Sequence, residues 1–531
     1  MPIIDLRDIP TDEKIEADVC IVGSGPAGST IARELDSKHF RVIVVESGGT
    51  ERSADVDALN EIENVGRARV MDQWLVRNRM LGGSSNTWTG RCAPFDSIDY
   101  EARDWVHYSG WPFTADDLKP FLERAAPYLG LGFGSGFSDS AFWTLFDRRH
   151  FSPEINEDLL VPFFWQFSKD DVNRFDYMRF GKSLLSGTRD ARLILNATVT
   201  SVNTDATGAV VRSVDLRDRD GALREVLAPR IVLCAGAIEN ARLLLASRRA
   251  ISAGLGNQND LVGRFLMDHP RGRIGAFDVS ASETLQKWLG VYNLKSGKGS
   301  HRFRHGLRLS PDYQRKNQLL NCAVWLNEVV MEDDPWNALS RILRGKGNIS
   351  RDALSVGSNL GLVAKGLNQF LIQRNGLPRK LDQLELQCIV EQQPDPESRI
   401  TLSDRVDRFG VPLSRINWRI NHQEERTVRT IGRLVQAEFR RLALNELCLD
   451  DWLMRDEGLP LSFPDVAHPT GTTRMSASPK SGVVDSTCQV HGVQGLYIAG
   501  SSVFPTSGHA NPTHMIVAIA IRLADLLRDR S

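Results

Sequence analysis

The sequence lacks a surplus of charge of either sign: 65 Lys and Arg stand against 66 Asp and Glu, a formal net charge of −1. That balance removes the basic excess on which nucleic-acid binding rests, and the basic clusters present, such as Arg148-Arg149-His150 and Arg440-Arg441, are short and scattered. Long apolar runs are also missing. Met515 to Ile521 is uninterrupted, yet a bilayer span needs about 20 such residues. The opening segment has no basic start followed by an apolar core, the pattern of a secretory signal. Seven cysteines contain no C-x-x-C pair, which argues against a disulfide framework and against a zinc site. Cys20 and Cys234 lie in strand-like apolar runs and read as core residues. No internal repeat or low-complexity segment occurs. These absences predict a soluble, cytoplasmic chain with no nucleic acid, no membrane span and no metal. What is present is ordinary globular composition, 41% hydrophobic and 25% charged over 531 residues, a length that calls for two or more lobes.

The first chemical signal is at residues 18–46. Val19 to Val22 is a β-branched run, followed by Gly23-Ser24-Gly25-Pro26-Ala27-Gly28, a helical stretch to about Leu35, and a second strand, Val42 to Val45, closed by Glu46. This is a complete dinucleotide fingerprint rather than an isolated G-x-G-x-x-G. Gly23 permits the turn out of the strand, Gly25 leaves room for a pyrophosphate, and Gly28 lets helix and sheet approach. The positive helix end favours the phosphates, and Glu46 is placed to accept hydrogen bonds from the adenosine ribose. A glycine turn that binds nothing would not need strand, helix and acid together. The fingerprint does not separate NAD from FAD.

Two further strand–turn–helix patterns follow. One is Ile231 to Ser247, after a strand pair at Arg192 to Val202 and Ser213 to Arg217. The other begins with Leu496 to Ala499, stops at Gly500-Ser501, and resumes as a helix at Asn511-Pro512, with Asn in a favoured N-cap position and Pro in the first turn. A nucleotide domain whose parts lie at the beginning, middle and end of the chain suits a long two-part cofactor.

With these parts in place, the chain resembles the glucose–methanol–choline (GMC) oxidoreductases, an FAD-dependent family, over essentially its full length. The matching stretches are the fingerprint, Met80–Asn86, Val262–Pro270, His468–Met475 and Gly508–Thr513. The ending Asn511-Pro512-Thr513 is similar to the pyranose-oxidase-like branch. The resemblance implies an α/β two-lobe fold: a Rossmann-like FAD domain from residues 1–95, 190–275 and 463–531, and a substrate or cap domain on a large antiparallel sheet from 96–189 and 276–462. It also implies FAD contacts from Gly82, Gly83, Asn86, Thr87, Val199, Gly236, Gly500, Ser501, Pro512 and Thr513.

An alcohol loses hydride from carbon only as its hydroxyl proton leaves, so the site needs a hydride acceptor and a base whose pKa lies near operating pH, which points to imidazole. The resemblance assigns that base to His468 and the group holding the substrate oxygen to Asn511. The helix starting near Pro512 would direct unpaired N–H groups, including that of Thr513, at charge developing on the flavin. Where pyranose 2-oxidase carries the histidine that binds flavin covalently, this chain has Thr87, so FAD is expected to be non-covalent. Thr89 matches a residue near flavin N5 and is a candidate for tuning reactivity, or else a loop hydroxyl facing backbone. His509 is expected beside the site; His269, His491 and His514 read as structural. From Gln383 to Glu391 the sequence alternates, with Leu384, Leu386, Cys388 and Val390 on one face; the polar face, ending at Glu391, is a candidate substrate wall. Gly130–Phe137 and Asp333–Arg351 read as mobile loops or insertions, and Phe142, Trp143, Phe163, Phe164 and Trp165 as an arm, an entrance wall or a subunit contact. The expected function is oxidation of a secondary hydroxyl of a sugar or glycoside to a ketone, with oxygen, a quinone or another electron acceptor. A primary alcohol of an aminoglycoside-like or aromatic substrate, a redox-neutral hydroxynitrile lyase and a non-catalytic flavoprotein subunit are the alternatives. The sequence leaves oligomeric state open.

Overall fold

The computed structural model describes residues 1–529 except 70–71, 135, 146–153, 171–172, 174–175, 297–298, 344, 346, 374–375 and 456; the Arg148-Arg149-His150 cluster lies outside the described residues. Six parallel strands form the first sheet: β1 (Ile3–Asp5), β2 (Val19–Val22), β3 (Val42–Val45), β4 (Arg192–Leu195), β5 (Ile231–Leu233) and β6 (Leu496–Ile498), in the order β1-β4-β3-β2-β5-β6. The middle strands β2 and β3 are buried along their whole length, as expected where both faces of a parallel sheet are covered and the sequence is a continuous β-branched run. Helix α1 (Pro26–Glu34) leaves β2, α2 (Gly236–Ala246) leaves β5, and the last two labelled helices are α3 (His422–Arg441) and α4 (Thr513–Asp529). Packing of α4 on α1 closes one face of this sheet.

The second large sheet is antiparallel. Its strands run, in spatial order, Cys448–Leu449, Arg271–Phe277, Leu381–Val390, Cys322–Val330, Gly299–Leu309, Leu160–Phe167 and Arg91–Cys92, with Val291–Ser296 paired to Gly299–Leu309. The alternation in the strand Leu381–Val390 has its physical cause in α3: Leu384, Leu386, Cys388 and Val390 are buried in a core shared with Val428, Ile431, Val435 and Phe439 of that helix. The opposite face looks toward the parallel sheet. Two sequence boundaries move here. Arg91–Cys92, assigned by sequence to the nucleotide lobe, is a strand of the antiparallel sheet, and the strand Arg271–Phe277 straddles the boundary placed at residue 275.

Two local expectations are corrected. Among the described residues, 333–351 is mostly helical rather than a loop, with helix Pro335–Leu343 in the first half and helix Ile349–Ser358 beginning in the second; the insertion reading is untouched by this. The aromatic segment is not a projecting arm either. Phe142, Phe163 and Phe164 are fully buried, Trp165 nearly so, and Phe142 stacks on Phe164 at 4.0 Å. Strand pairing across Leu160–Phe167 draws these rings inward, and Phe163 sits 4.4 Å from the His509 ring. All seven cysteines are free. Among the described residues no helix is long and apolar enough to cross a membrane, and no cluster of three His, Cys, Asp or Glu is placed to hold a metal ion.

Candidate active site

A cavity of about 470 Å³ opens at the carboxyl ends of β2, β3 and β5, the crevice where doubly wound sheets bind their ligands. Gly23, Gly25, Glu46, Gly83, Thr87, Thr89, Val199, Gly236, Ser501, Pro512 and Thr513 line it together with His468 and Asn511. The remaining glycines of the sequence reading stand behind the wall. A Cβ on Gly28 would lie 1.9 Å from the Gly23 carbonyl oxygen, whereas one on Gly25 would meet nothing within 4 Å. The first is a packing glycine and the second keeps space free in front of α1. Gly82 has φ +90°, and Asn86 fixes the turn by donating from Nδ2 to the carbonyls of Leu81 and Gly83. Gly500 turns the chain out of β6 at φ +119°.

These residues fit FAD: an open position at Gly25, unpaired first-turn N–H groups of α1 and an acid at the end of β3. Glu46 Oε2 accepts from the Ser24 N–H at 3.0 Å and from Ser24 Oγ at 2.6 Å, and Oε1 accepts from the Gly48 N–H at 3.0 Å. Burial pushes its pKa up while these bonds favour the carboxylate. At the other end of the cavity the Ile516 N–H bonds to the Pro512 carbonyl at 2.9 Å. Helix α4 therefore starts one residue later than the sequence indicated, at Thr513, and Asn511 is not its N-cap. Its amide does something else: Nδ2 lies 3.3 Å from His468 Nε2.

His468 is gripped from three directions. Asp268 Oδ1 accepts from the backbone N–H groups of His269, Val466 and His468, at 2.8, 3.2 and 3.1 Å. Asp268 is itself neutralised by buried Arg69 at 2.5 Å. Ala467, the preceding residue, is held at φ +60°, a left-handed conformation that a non-glycine residue adopts only when its surroundings impose it; the Asp465 side chain receives its N–H at 2.9 Å. The imidazole then meets His269, with the two Nδ1 atoms 3.0 Å apart.

This histidine pair fixes the tautomers. His269 Nε2 faces the Gly508 carbonyl at 2.9 Å, and a carbonyl only accepts, so Nε2 carries the hydrogen. Burial lowers the His269 pKa and keeps the ring neutral. Its Nδ1 must then accept, which makes His468 Nδ1 the donor and leaves the lone pair on His468 Nε2, beside Asn511 and facing the cavity. Burial, with the nearby Arg271 and Arg91 charges working against Asp268, pushes the His468 pKa down to about 3. The result is a neutral, oriented proton acceptor.

Sequence reasoning brought His468 and Asn511 to one place but treated His269 as structural; its position next to Asp268 in the Val262–Pro270 stretch was the available signal. His509 lies behind the site rather than in its wall. It is fully buried, neither ring nitrogen has a hydrogen-bond partner among the described residues, and burial pushes its pKa down to about 3. Glu391 is the clearest departure. It is fully buried and bonded to the Arg103 guanidinium at 2.5 and 2.9 Å and to the Asn321 N–H at 2.9 Å, so it ties the loop carrying Arg103 to the ends of two strands instead of lining the cavity. Alternation told which face it belonged to and nothing of the arginine that covers it.

Known proteins resemble this chain in sequence and fold. The GMC oxidoreductase family model matches residues 394–520. The 2-methyl-1,2-propanediol dehydrogenase of Mycolicibacterium austroafricanum is 24% identical, over 97% of this chain and 96% of its own length. The C-glycoside 3-oxidase of Arthrobacter globiformis is 32% identical over 24% of this chain and 23% of its own. The crystal structure of formate oxidase shares the fold, with a TM-score of 0.58 at 19% identity over 98% of this chain and 99% of that one.

Proposed function

Because the chain belongs to the GMC oxidoreductases, FAD-dependent enzymes acting on alcohol groups, we propose that it oxidises a secondary hydroxyl of a sugar or glycoside to the ketone, with His468 as the base. The observation that carries this reading is the lone pair of His468 Nε2, held toward the cavity by the His269 relay and 3.3 Å from Asn511 Nδ2. The substrate hydroxyl donates its proton to that atom, and Asn511 holds the same oxygen so that the carbon hydrogen points into the cleft. FAD, when bound, supplies the hydride acceptor. Asp268 steadies the imidazolium that forms, through its charge and the backbone N–H of His468.

FAD is held without a covalent bond in this reading. Thr87 Oγ1 donates to Asn78 Oδ1 at 2.8 Å, and among the described lining residues the only imidazole is His468 and the only thiol Cys234, the latter at the end of β5 by the dinucleotide crevice. The name of the C-glycoside 3-oxidase supports a secondary sugar hydroxyl, while the full-length similarity to a diol dehydrogenase favours a second reading, a primary alcohol.

The test is anaerobic reduction of the bound flavin by a panel of sugars, glycosides and small diols, in the wild type and in His468→Ala. Bleaching by glycosides that is lost in the variant is the expected result. Cyanohydrin cleavage with unchanged flavin colour would assign a lyase instead, and bleaching at wild-type rate in His468→Ala would remove it as the base.

A further inference from the structure

The antiparallel sheet carries four arginines on its cleft-facing side, none of them in an ion pair with an acid among the described residues. Arg91 lines the same cavity as His468, Asn511 and Thr89. Arg271 follows the histidine-bearing stretch by two residues, and Arg302 and Arg304 lie two apart on the strand Gly299–Leu309, hence on one face of it. None of the four forms an ion pair among the described residues, and only Arg304 makes a side-chain hydrogen bond, to the Leu326 carbonyl at 2.7 Å. The Nε atoms of Arg91 and Arg304 are buried with no partner.

Elsewhere the chain neutralises several buried arginines: Arg69 pairs with Asp268, Arg103 with Glu391, Arg224 with Asp218 and Arg242 with Asp407, all within 2.8 Å. Arg474, also buried, has no ion pair among the described residues; of the four in the cluster, Arg91, Arg271 and Arg304 are half-buried and Arg302 is exposed. Two acids stand near the four without forming an ion pair with any of them: Glu385 faces Arg273 at 4.0 Å and accepts from Asn327 and Gln387, both at 2.9 Å, and Glu328 accepts from Gln286. Burial and mutual repulsion hold the Arg91 guanidinium well below its usual pKa and bring Arg304 to about 10. A cluster of like charges at low dielectric is costly unless something of opposite sign joins it.

The aromatic contacts show how it could be joined. Arg91 lies over Trp325 at 5.2 Å, Arg271 over the same indole at 5.3 Å, and Arg302 over Phe167 at 5.2 Å. Ring contacts occupy the face of a guanidinium and leave its in-plane N–H fork free. Forks of this kind match planar or tetrahedral oxyanions. The cofactor's phosphates have their own donors at the start of α1, across the crevice.

We propose that this cluster is an oxyanion subsite, and that the alcohol presented to His468 carries a carboxylate, sulfate or phosphate: an acidic sugar or acidic glycoside. This deepens the alcohol-oxidising reading and rests on it for the position of the reacting hydroxyl. Arg91 and His468 line one cavity, and Arg271 shares the Trp325 indole with Arg91, so the anionic group and the hydroxyl belong to one small molecule.

The test uses the flavin-loaded wild-type enzyme and matched ligands. Methyl β-glucuronide should reduce the flavin with kcat/KM at least about tenfold above methyl β-glucoside, the scale of one charged hydrogen bond, and the preference should shrink with added salt. The 6-sulfate and 6-phosphate of the glucoside, run beside the uronide, decide which oxyanion fits. Binding is read separately, without turnover, from flavin absorbance changes on titration with cyclohexanecarboxylate against cyclohexanecarboxamide; the acid should bind about tenfold more tightly. Arg91→Gln, Arg271→Gln and Arg302→Gln, measured on flavin-loaded protein, should each lose most of the preference. Equal turnover and equal binding of charged and neutral partners would overturn the subsite and leave alcohol oxidation standing. Selective binding of the acid without flavin reduction by any alcohol would keep the subsite and sink the oxidation reading.

Discussion

The two sheets that meet at the cavity present different kinds of group to it. The parallel sheet offers backbone: glycines at β2 and β5, helix N-termini, and one acid, Glu46, at the end of β3. The antiparallel sheet offers side chains, the rings of Trp325 and Phe167 and the guanidinium groups above them. Backbone recognition depends on a few consecutive residues, because a turn and the start of a helix are local. Side-chain recognition depends on strand order, which brings Arg91, Arg271 and Arg302 together from three distant parts of the chain. The loop carrying His468 sits between the two regimes and needs both.

The largest expected effect tests that junction. His468→Ala should retain FAD, whose contacts lie elsewhere, and slow anaerobic flavin reduction about 10²-fold or more; single-turnover measurement separates this from slow reoxidation. Loss of FAD altogether would make His468 structural.

Next come the two glycines, which divide the cradle itself. Gly28→Ala drives a methyl into the Gly23 carbonyl and should cost about 1–3 kcal/mol, the range for overpacking, visible as a lowered Tm with or without FAD. Gly25→Ala meets open space and should change the stability of the flavin-free chain by under about 1 kcal/mol, yet reduce FAD retention. If both variants behave alike, the cradle does not separate packing from ligand space.

His269 is a positioning residue, so its effect should be smaller. His269→Ala frees the His468 tautomer and should slow reduction about tenfold, the cost of a misoriented base, with His269→Gln recovering part of the rate because its amide oxygen can still accept from His468 Nδ1. Equal rates in the two variants would leave the relay with no part in the reaction.

The smallest effect is an absence of slope. With the His468 pKa near 3, the acid limb of the reduction rate should fall well below the ordinary imidazole value of about 6.5, and the rate should stay level between pH 8 and pH 6. Stability should behave differently. His269, His468, His509 and His514 all have lowered folded-state pKa values, so the unfolded chain takes up protons first as pH falls below about 6.5, and each residue then costs up to about 1.4 kcal/mol per pH unit. Chemical denaturation at pH 7.5 and pH 5.5 would read that loss.

The same contrast explains what the sequence disclosed. The fingerprint from Val19 to Glu46 could be interpreted atom by atom, since each glycine's task follows from its neighbours in the chain. Leu384 to Val390 announced a buried face, and α3 provides it. Glu391 and the phenylalanines around Phe142 were misjudged because a period of two says which side a residue faces and not what lies opposite. His269 and the four arginines looked unremarkable singly, and each acquires meaning only beside a residue more than a hundred positions away or on a neighbouring strand.

Pairing of β5 with β6 has a consequence for synthesis. About 260 residues separate Leu233 from Leu496, and at roughly 5–20 residues per second a ribosome needs about 13–50 s to make them. Through that interval β5 has an unpaired apolar edge, of the kind that invites association with other chains. Because Asn511 and His468 also emerge late, the nascent protein can shape its dinucleotide crevice long before it can acquire a working base.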